Sequence, residues 1–228
     1  MIEAVRRAMV LQDMSSFAER LSRLHTALLS DVLDALGHRL GVMDFRIRPL
    51  AGPARVVGRA FTFASFAIEE PEPVPYEKLL AGYGRLSPGD VVVLGTNGEL
   101  RSGIWGELLS TAARARGATG AVTDGLTRDL DAIDLMGFPV FARGASPVDS
   151  AGRQAVRTFG EPVVCGGVHV HPGDVVFGDG MGVVVIPASL AEEAVRLAEE
   201  KHRGEDIVRV ELERGDDPGE VFDRHGIL

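Results

Sequence analysis

Gly120-Ala121-Val122-Thr123-Asp124-Gly125-Leu126-Thr127-Arg128-Asp129 carries the reading of this chain. The first four residues make a short strand and Asp124-Gly125 a turn; from Asp129 to Met136 the apolar spacing becomes helical. Upstream, Ser87-Pro88-Gly89-Asp90 is a turn, Val91-Val92-Val93-Leu94 a wholly apolar strand, and Ile104 to Arg116 a helix closed by Gly117. Downstream, Pro139-Val140-Phe141-Ala142 is a strand again. Strands and helices alternating across short loops imply βαβ units and a sheet that is at least partly parallel.

The flanks read differently. Phe17, Leu21, Leu24, Leu28, Val32 and Leu36 recur at helical spacing, predicting one helix from Ser16 to Leu36 with Gly37 as its cap. Arg55–Phe66 alternates as a long strand, and a short helix is expected around Tyr76–Ala81 after the prolines at 71, 73 and 75. Beyond Pro162 the helical signal stops. Val163–Cys165, Val168–Val170, Val175–Phe177 and Val183–Ile186 are short strands spaced as antiparallel hairpins. A helix from Ser189 to about His202 and a charged tail with helical potential finish the chain. With no linker and no break in composition, residues 1–228 are read as a single domain with a core of about 50–187.

Composition narrows the class. The 228 residues hold 24 Lys+Arg against 33 Asp+Glu, a formal charge of −9, which argues against general nucleic-acid binding. No apolar run approaches the ~20 residues of a membrane helix. Residues 1–7 do not resemble a secretory signal. Cys165 is the sole cysteine, so no internal disulfide forms, and a reducing, cytoplasmic setting is expected.

Two segments carry candidate chemistry. Gly103-Ile104-Trp105-Gly106-Glu107-Leu108-Leu109 opens a helix after the glycine-rich loop Gly95-Thr96-Asn97-Gly98, and unpaired amides at a helix start hold carboxylates or phosphates. Arg128-Asp129 follows a strand and sets a fixed cation beside a hard oxygen donor, a pairing suited to a divalent metal and an anionic substrate. The same dipeptide also reads as a helix-dipole complement with a surface ion pair. His169 and His171 share a strand face with no evident third ligand and read as structural or surface residues. Cys165 reads as a small buried hydrophobe, Asp179 and Asp124 as turn residues, and Arg114 with Arg116 as a solvated face. Trp105 is either a pocket wall or a subunit contact.

Taken in order, Gly89-Asp90, Gly106-Glu107-Leu108-Leu109, Arg116-Gly117, Asp124-Gly125-x-x-Arg128-Asp129, Pro139–Gly144 and Gly166–Asp174 resemble the RraA-like family. That family includes the class II 4-hydroxy-4-methyl-2-oxoglutarate / 4-carboxy-4-hydroxy-2-oxoadipate aldolases and a regulator that binds an RNA-degrading endonuclease. The resemblance implies an α/β three-layer sandwich of swivelling β/β/α type, with mixed sheets and flanking helices. It also implies a homotrimer or hexamer with sites at subunit interfaces. By resemblance, the amides of Gly106, Glu107, Leu108 and Leu109 receive the carboxylate of a 2-oxo acid substrate. Arg128 binds that carboxylate and the keto oxygen, Asp129 ligates Mg²⁺ or Mn²⁺, and Glu107 holds the water that protonates a pyruvate enolate. Twenty residues separate Glu107 from Arg128, the family's spacing for its acidic residue. Two positions depart from the pattern: Glu107 stands where the aldolases carry Asp, and Ala132 where a further acidic residue is expected. The implied activity is pyruvate-releasing cleavage of a 4-hydroxy-2-oxo acid, with oxaloacetate decarboxylation through the same enolate.

Overall fold

The computed structural model describes residues 17–227; the N-terminal segment read for a signal, and Ser16 at the expected helix start, lie outside them. The frame is a twisted mixed sheet. Its long member, β2 (Val56–Ala67), pairs in parallel with β3 (Asp90–Gly95). Beyond β3 come β5 (Gly120–Thr123) and β7 (Val140–Ala142), both parallel, and then β1 (Arg48–Ala51), which is antiparallel to β7. The other edge of β2 is divided. Its first half pairs with β12 (Val175–Asp179) and its second with β9 (Gln154–Phe159), both antiparallel. β13 (Gly182–Ile186) closes that edge as a hairpin with β12.

Alternation along the strands sets the layers. In β3, Val91 and Val93 meet the hairpin of β10 (Val163–Cys165) and β11 (Val168–Val170), packing with Val163, Cys165, Val168 and Val170. Val92 and Leu94 face the opposite way, towards α2 (Glu77–Tyr83), α3 (Glu107–Ala115) and α4 (Leu130–Met136). On the β12–β13 edge, Val175, Phe177, Val184 and Ile186 are covered by α1 (Thr26–Ala35) and α5 (Ala191–Glu213). Hairpin, sheet and helices are the three layers of the expected α/β sandwich.

Several expected bounds shift, each for a local reason. The predicted helix over 16–36 is broken at Arg23–His25. His25 is extended, and its Nδ1 accepts from Leu28 N, while buried Asp179 accepts from Thr26 N and Oγ1, both at 2.8 Å. Both pieces pack on one core, so the apolar spacing runs on through a break it does not reveal. The helix expected from Ile104 starts only at Glu107, because Gly103–Trp105 is a strand, β4. The C-terminal helix continues past His202 to Glu213, carried by the i,i+4 pair Arg196–Glu200 at 2.6 Å and by Lys201 beside Glu205. Gly204, inside this helix, marks a close approach: a Cβ there would stand 2.6 Å from Ile227 Cδ1. The charged tail forms α6 (Pro218–His225), capped by Asp217.

A second, small parallel sheet joins β4 to β6 (Leu126–Thr127) and β8 (Gly144–Ala145). Each of these three follows one parallel strand of the main sheet: β4 after β3, β6 after β5, β8 after β7. The small sheet therefore stands at the carboxyl ends of the main strands, where open α/β sheets place their sites. Among the described residues, no helix is long and apolar enough to cross a membrane.

Candidate functional site

The small sheet sets two chain segments against each other. Arg128 N donates to Trp105 O at 2.9 Å, which fixes the exit of β6 beside the exit of β4. β4 leads through Gly106 into α3, and β6 leads through Arg128 and Asp129 into α4. Gly106 is fully extended (φ −169°) and is the N-cap of α3. A side chain there would displace the site residues, since a Cβ would sit 2.7 Å from Asp129 Oδ2 and 3.0 Å from Arg128 Cγ.

Asp129 is left-handed at φ 60°, a conformation uncommon outside glycine but tolerated by Asp and Asn. That backbone turns its carboxylate onto the start of α3, where Glu107 N donates to Oδ2 at 3.2 Å. Ser110 N is the first amide to reach a carbonyl of the helical ladder, Gly106 O, so the amides of Leu108 and Leu109 precede that ladder and find no helical carbonyl to bond. Trp105 braces this end: its Nε1 donates to Ser110 Oγ at 2.8 Å, and its ring stacks on Tyr83 at 6.5 Å. Tyr83 OH donates in turn to Leu109 O, and burial pushes its phenol well above the usual range.

Trp105, the start of α3, Arg128 and Asp129 line one cleft of about 340 Å³. It brings together every residue singled out from the sequence as a site residue: Gly106, Glu107, Leu108, Leu109, Arg128 and Asp129. Arg128 is half-exposed between two carboxylates, with Nε 3.4 Å from Asp129 and Nη1 3.1 Å from Asp149 Oδ1. The Glu107 carboxylate accepts from Thr111 Oγ1 at 2.7 Å, one turn along α3. Among the described residues, the cleft offers carboxylates and no His or Cys; an all-oxygen donor set suits a hard cation such as Mg²⁺ or Mn²⁺ held largely by water.

Sequence reading missed Asp149 and Gln154. Asp149 follows β8 and is brought in by backbone alone, as Gly103 N donates to Val148 O at 2.8 Å and residue 103 bridges residue 149. Buried Gln154 begins β9 and donates to Ser102 Oγ at 2.7 Å. Neither lies in a motif, so only the fold reveals them. Elsewhere Asp124 shapes loops, accepting from Thr96 N, Thr96 Oγ1, Gly98 N and Gly166 N. Asp179 caps α1, and His169 is exposed on β11.

A three-layer α/β sandwich with a cleft at a helix start, lined by one arginine and several carboxylates, defines the class. The chain belongs to the RraA-like family, described as Aldolase/RraA, whose model matches residues 26–185. It is 31% identical over 185 residues to the "Putative 4-hydroxy-4-methyl-2-oxoglutarate aldolase" of Halalkalibacterium halodurans, covering 81% of this chain and 83% of that one. Among solved structures it resembles RraAS2 of Streptomyces coelicolor, described as an unusual member of the RNase ES inhibitor RraA protein family. That likeness has a TM-score of 0.77 and 30% identity over 86% of this chain and 97% of the other. An uncharacterized protein from Pseudomonas syringae pv. tomato is similar with a TM-score of 0.78 and 30% identity, over 91% of this chain and 96% of that one.

Proposed function

We propose that the protein is a divalent-metal-dependent lyase that cleaves a 4-hydroxy-2-oxo acid to pyruvate and also decarboxylates oxaloacetate. The observation carrying this reading is the convergence of Arg128, Asp129 and the start of α3 on one cleft wall, tied by the Glu107 N–Asp129 bond. The H. halodurans relative supports the substrate class.

The 2-oxo acid's carboxylate is received by the free amides of Leu108 and Leu109 and by the Arg128 guanidinium. Arg128 also faces the keto oxygen. When the bond to C3 breaks, the electron pair moves onto that oxygen, and a fixed guanidinium stabilises the resulting enolate. The other carbon fragment leaves as a carbonyl compound, its 4-hydroxyl proton passing to solvent water, or as CO₂ from oxaloacetate. A water held by Glu107 then protonates C3 to give pyruvate. Asp129 would hold the Mg²⁺ or Mn²⁺, which would supply Lewis acidity to the enolate-forming step.

The rim of the cleft supports assembly. Leu80 and Leu108, exposed at 63% and 79%, flank it with Tyr76, and burial of such side chains by a second copy fits the trimer or hexamer the resemblance implies.

Pyruvate release from oxaloacetate with Mg²⁺ or Mn²⁺, compared between the wild type, Arg128→Ala and Asp129→Ala, tests the reading. Equal rates in all three overturn it. A panel of 2-oxo acids then identifies the substrate. The likeness to RraAS2 favours a second reading, a non-catalytic protein that docks on an RNA-degrading endonuclease. Stable capture of such an enzyme, together with absence of metal-dependent pyruvate release, would select it.

A further inference from the structure

Far along the chain from the cleft residues, two helices bring three metal-ligating side chains together. His202 and Glu205 are i and i+3 on α5 and so share a face. His25, at the N-cap of α1, meets them, with its ring edge-on to that of His202 at 6.4 Å between centroids. One donor atom from each of His25, His202 and Glu205 lies within 4.8 Å of the other two. Nδ1 of His202 is buried and makes no hydrogen bond to any described residue, an arrangement that is costly unless something else satisfies the nitrogen.

We propose that His25, His202 and Glu205 form a second cation site, for Zn²⁺ or a similar borderline first-row divalent ion, which staples the start of α1 to α5. Two imidazoles and a carboxylate are a donor set for Zn²⁺, with water completing the tetrahedron. The set differs in kind from the all-oxygen cleft, so the two sites select different ions. Ligands about 2.1 Å from Zn²⁺ stand roughly 3.4 Å apart, so capture draws the three donors inward by rotamer adjustment on an otherwise fixed pair of helices. Asp206 Oδ2, 3.9 Å from His202 Nε2, is placed to orient the ring from outside. Lys201, 4.0 Å from Glu205, is already paired with Asp31.

Capture leaves a mark. His25 Nδ1 now accepts from Leu28 N at 3.2 Å, so in the neutral ring Nε2 carries the proton. Ligation through Nε2 moves that proton to Nδ1 and releases the Leu28 amide. α1 stays anchored by Asp179 on Thr26 N.

The test is calorimetric titration of the metal-stripped full chain with Zn²⁺, in an Asp129→Asn background that removes the cleft's direct ligand, combined with amide NMR. The expected result is one Zn²⁺ per chain, a shifted and faster-exchanging Leu28 amide, and affinity at least about tenfold weaker when His202→Gln or Glu205→Gln is added. Glu205→Gln is partly exposed and retains the fold, which circular dichroism verifies. No saturable Zn²⁺ binding, or binding unchanged by Glu205→Gln, overturns the proposal. Neither outcome bears on the lyase reading, which stands or falls on Arg128 and Asp129.

Discussion

Arg128 Nη1 lies 3.1 Å from Asp149 Oδ1, so the one cation that the described residues place on the cleft wall is shared with a carboxylate from the segment after β8. Both side chains are more than one-third exposed, and such pairs contribute little to stability. Their effect on a ligand is larger, because Asp149 both competes for the guanidinium and repels an incoming carboxylate. Asp149→Asn is expected to bind oxalate, a planar dianion resembling the pyruvate enolate, roughly fivefold more tightly, about 1 kcal/mol. The unfolding free energy should move by less than about 0.5 kcal/mol. Calorimetry with oxalate checks this; unchanged or weaker binding would place Arg128 outside the anion site.

Gly106 is positioned by exclusion, with Asp129 Oδ2 and Arg128 Cγ both inside the space of a Cβ. Gly106→Ala adds one methyl that pushes the carboxylate away from Glu107 N and swings the Arg128 stem. The extended backbone at residue 106 suits any residue, so the fold tolerates the change better than the site does. Pyruvate release should fall by at least about tenfold, against a stability loss of about 1–2 kcal/mol. Parallel measurement of initial rates and urea unfolding separates the two effects; a variant with full activity would show that the close approach is immaterial to catalysis.

The parts of this molecule that were legible in the sequence are those written by local chemistry. Val91–Leu94, Gly120–Thr123 and Pro139–Ala142 declare themselves as strands by residue type, and Arg128-Asp129 stands where a strand gives way to a helix. What was hidden depends on distant partners. Gly103–Trp105 reads as a helix start because Ile104 and Trp105 fall in register with Leu108, yet it is held extended by Leu126–Thr127 across a parallel ladder. Asp149 enters the cleft through a backbone bridge to residue 103, which no pattern of residue types encodes. The break at His25 needs Asp179, 154 residues away, to satisfy the new helix end.

Asp129 occupies the left-handed region, where Asn is tolerated almost as well as Asp. Asp129→Asn should therefore keep the backbone, with stability within about 0.5 kcal/mol of wild type, while losing the anionic oxygen that suits a hard cation. Stimulation of oxaloacetate decarboxylation by Mg²⁺ or Mn²⁺ should disappear, and chelation with EDTA should bring the wild type to the same residual rate. Asp129→Ala removes the same oxygen and adds backbone strain, so it should unfold at lower urea than Asp129→Asn. A metal response persisting in Asp129→Asn would assign the cation to other oxygens of the cleft.

Cys165 lies buried in β10 between the hairpin and the sheet. Burial raises its thiol pKa well above the ordinary value, and the nearby Asp124 carboxylate adds to the effect. The thiolate that would react is thus scarce in the folded chain. Native protein should resist iodoacetamide at neutral pH, with alkylation becoming quantitative once urea unfolds it. Mass spectrometry reads the extent, and rapid labelling of the native protein would contradict the packed hairpin.

Loss of Asp179 should weaken the fold without touching the cleft. Its carboxylate accepts from Thr26 N, Thr26 Oγ1 and Met181 N, each at 2.8 Å, and the side chain is almost wholly buried. One group therefore caps α1 and closes the β12–β13 turn. Asp179→Ala strands the Thr26 and Met181 amides in a site with little access to water, which costs about 2–4 kcal/mol for a lost cap and unpaired buried donors. Asp179→Asn keeps one acceptor oxygen but turns an NH₂ towards a donor, so it should fall between alanine and the wild type. Urea unfolding should show the midpoint drop with an unchanged slope, because the surface exposed on unfolding stays the same. Pyruvate release per folded molecule should hold at the wild-type rate under conditions where both are native. A loss of unfolding free energy of less than about 1 kcal/mol would mean that α1 starts equally well on the His25 cap alone.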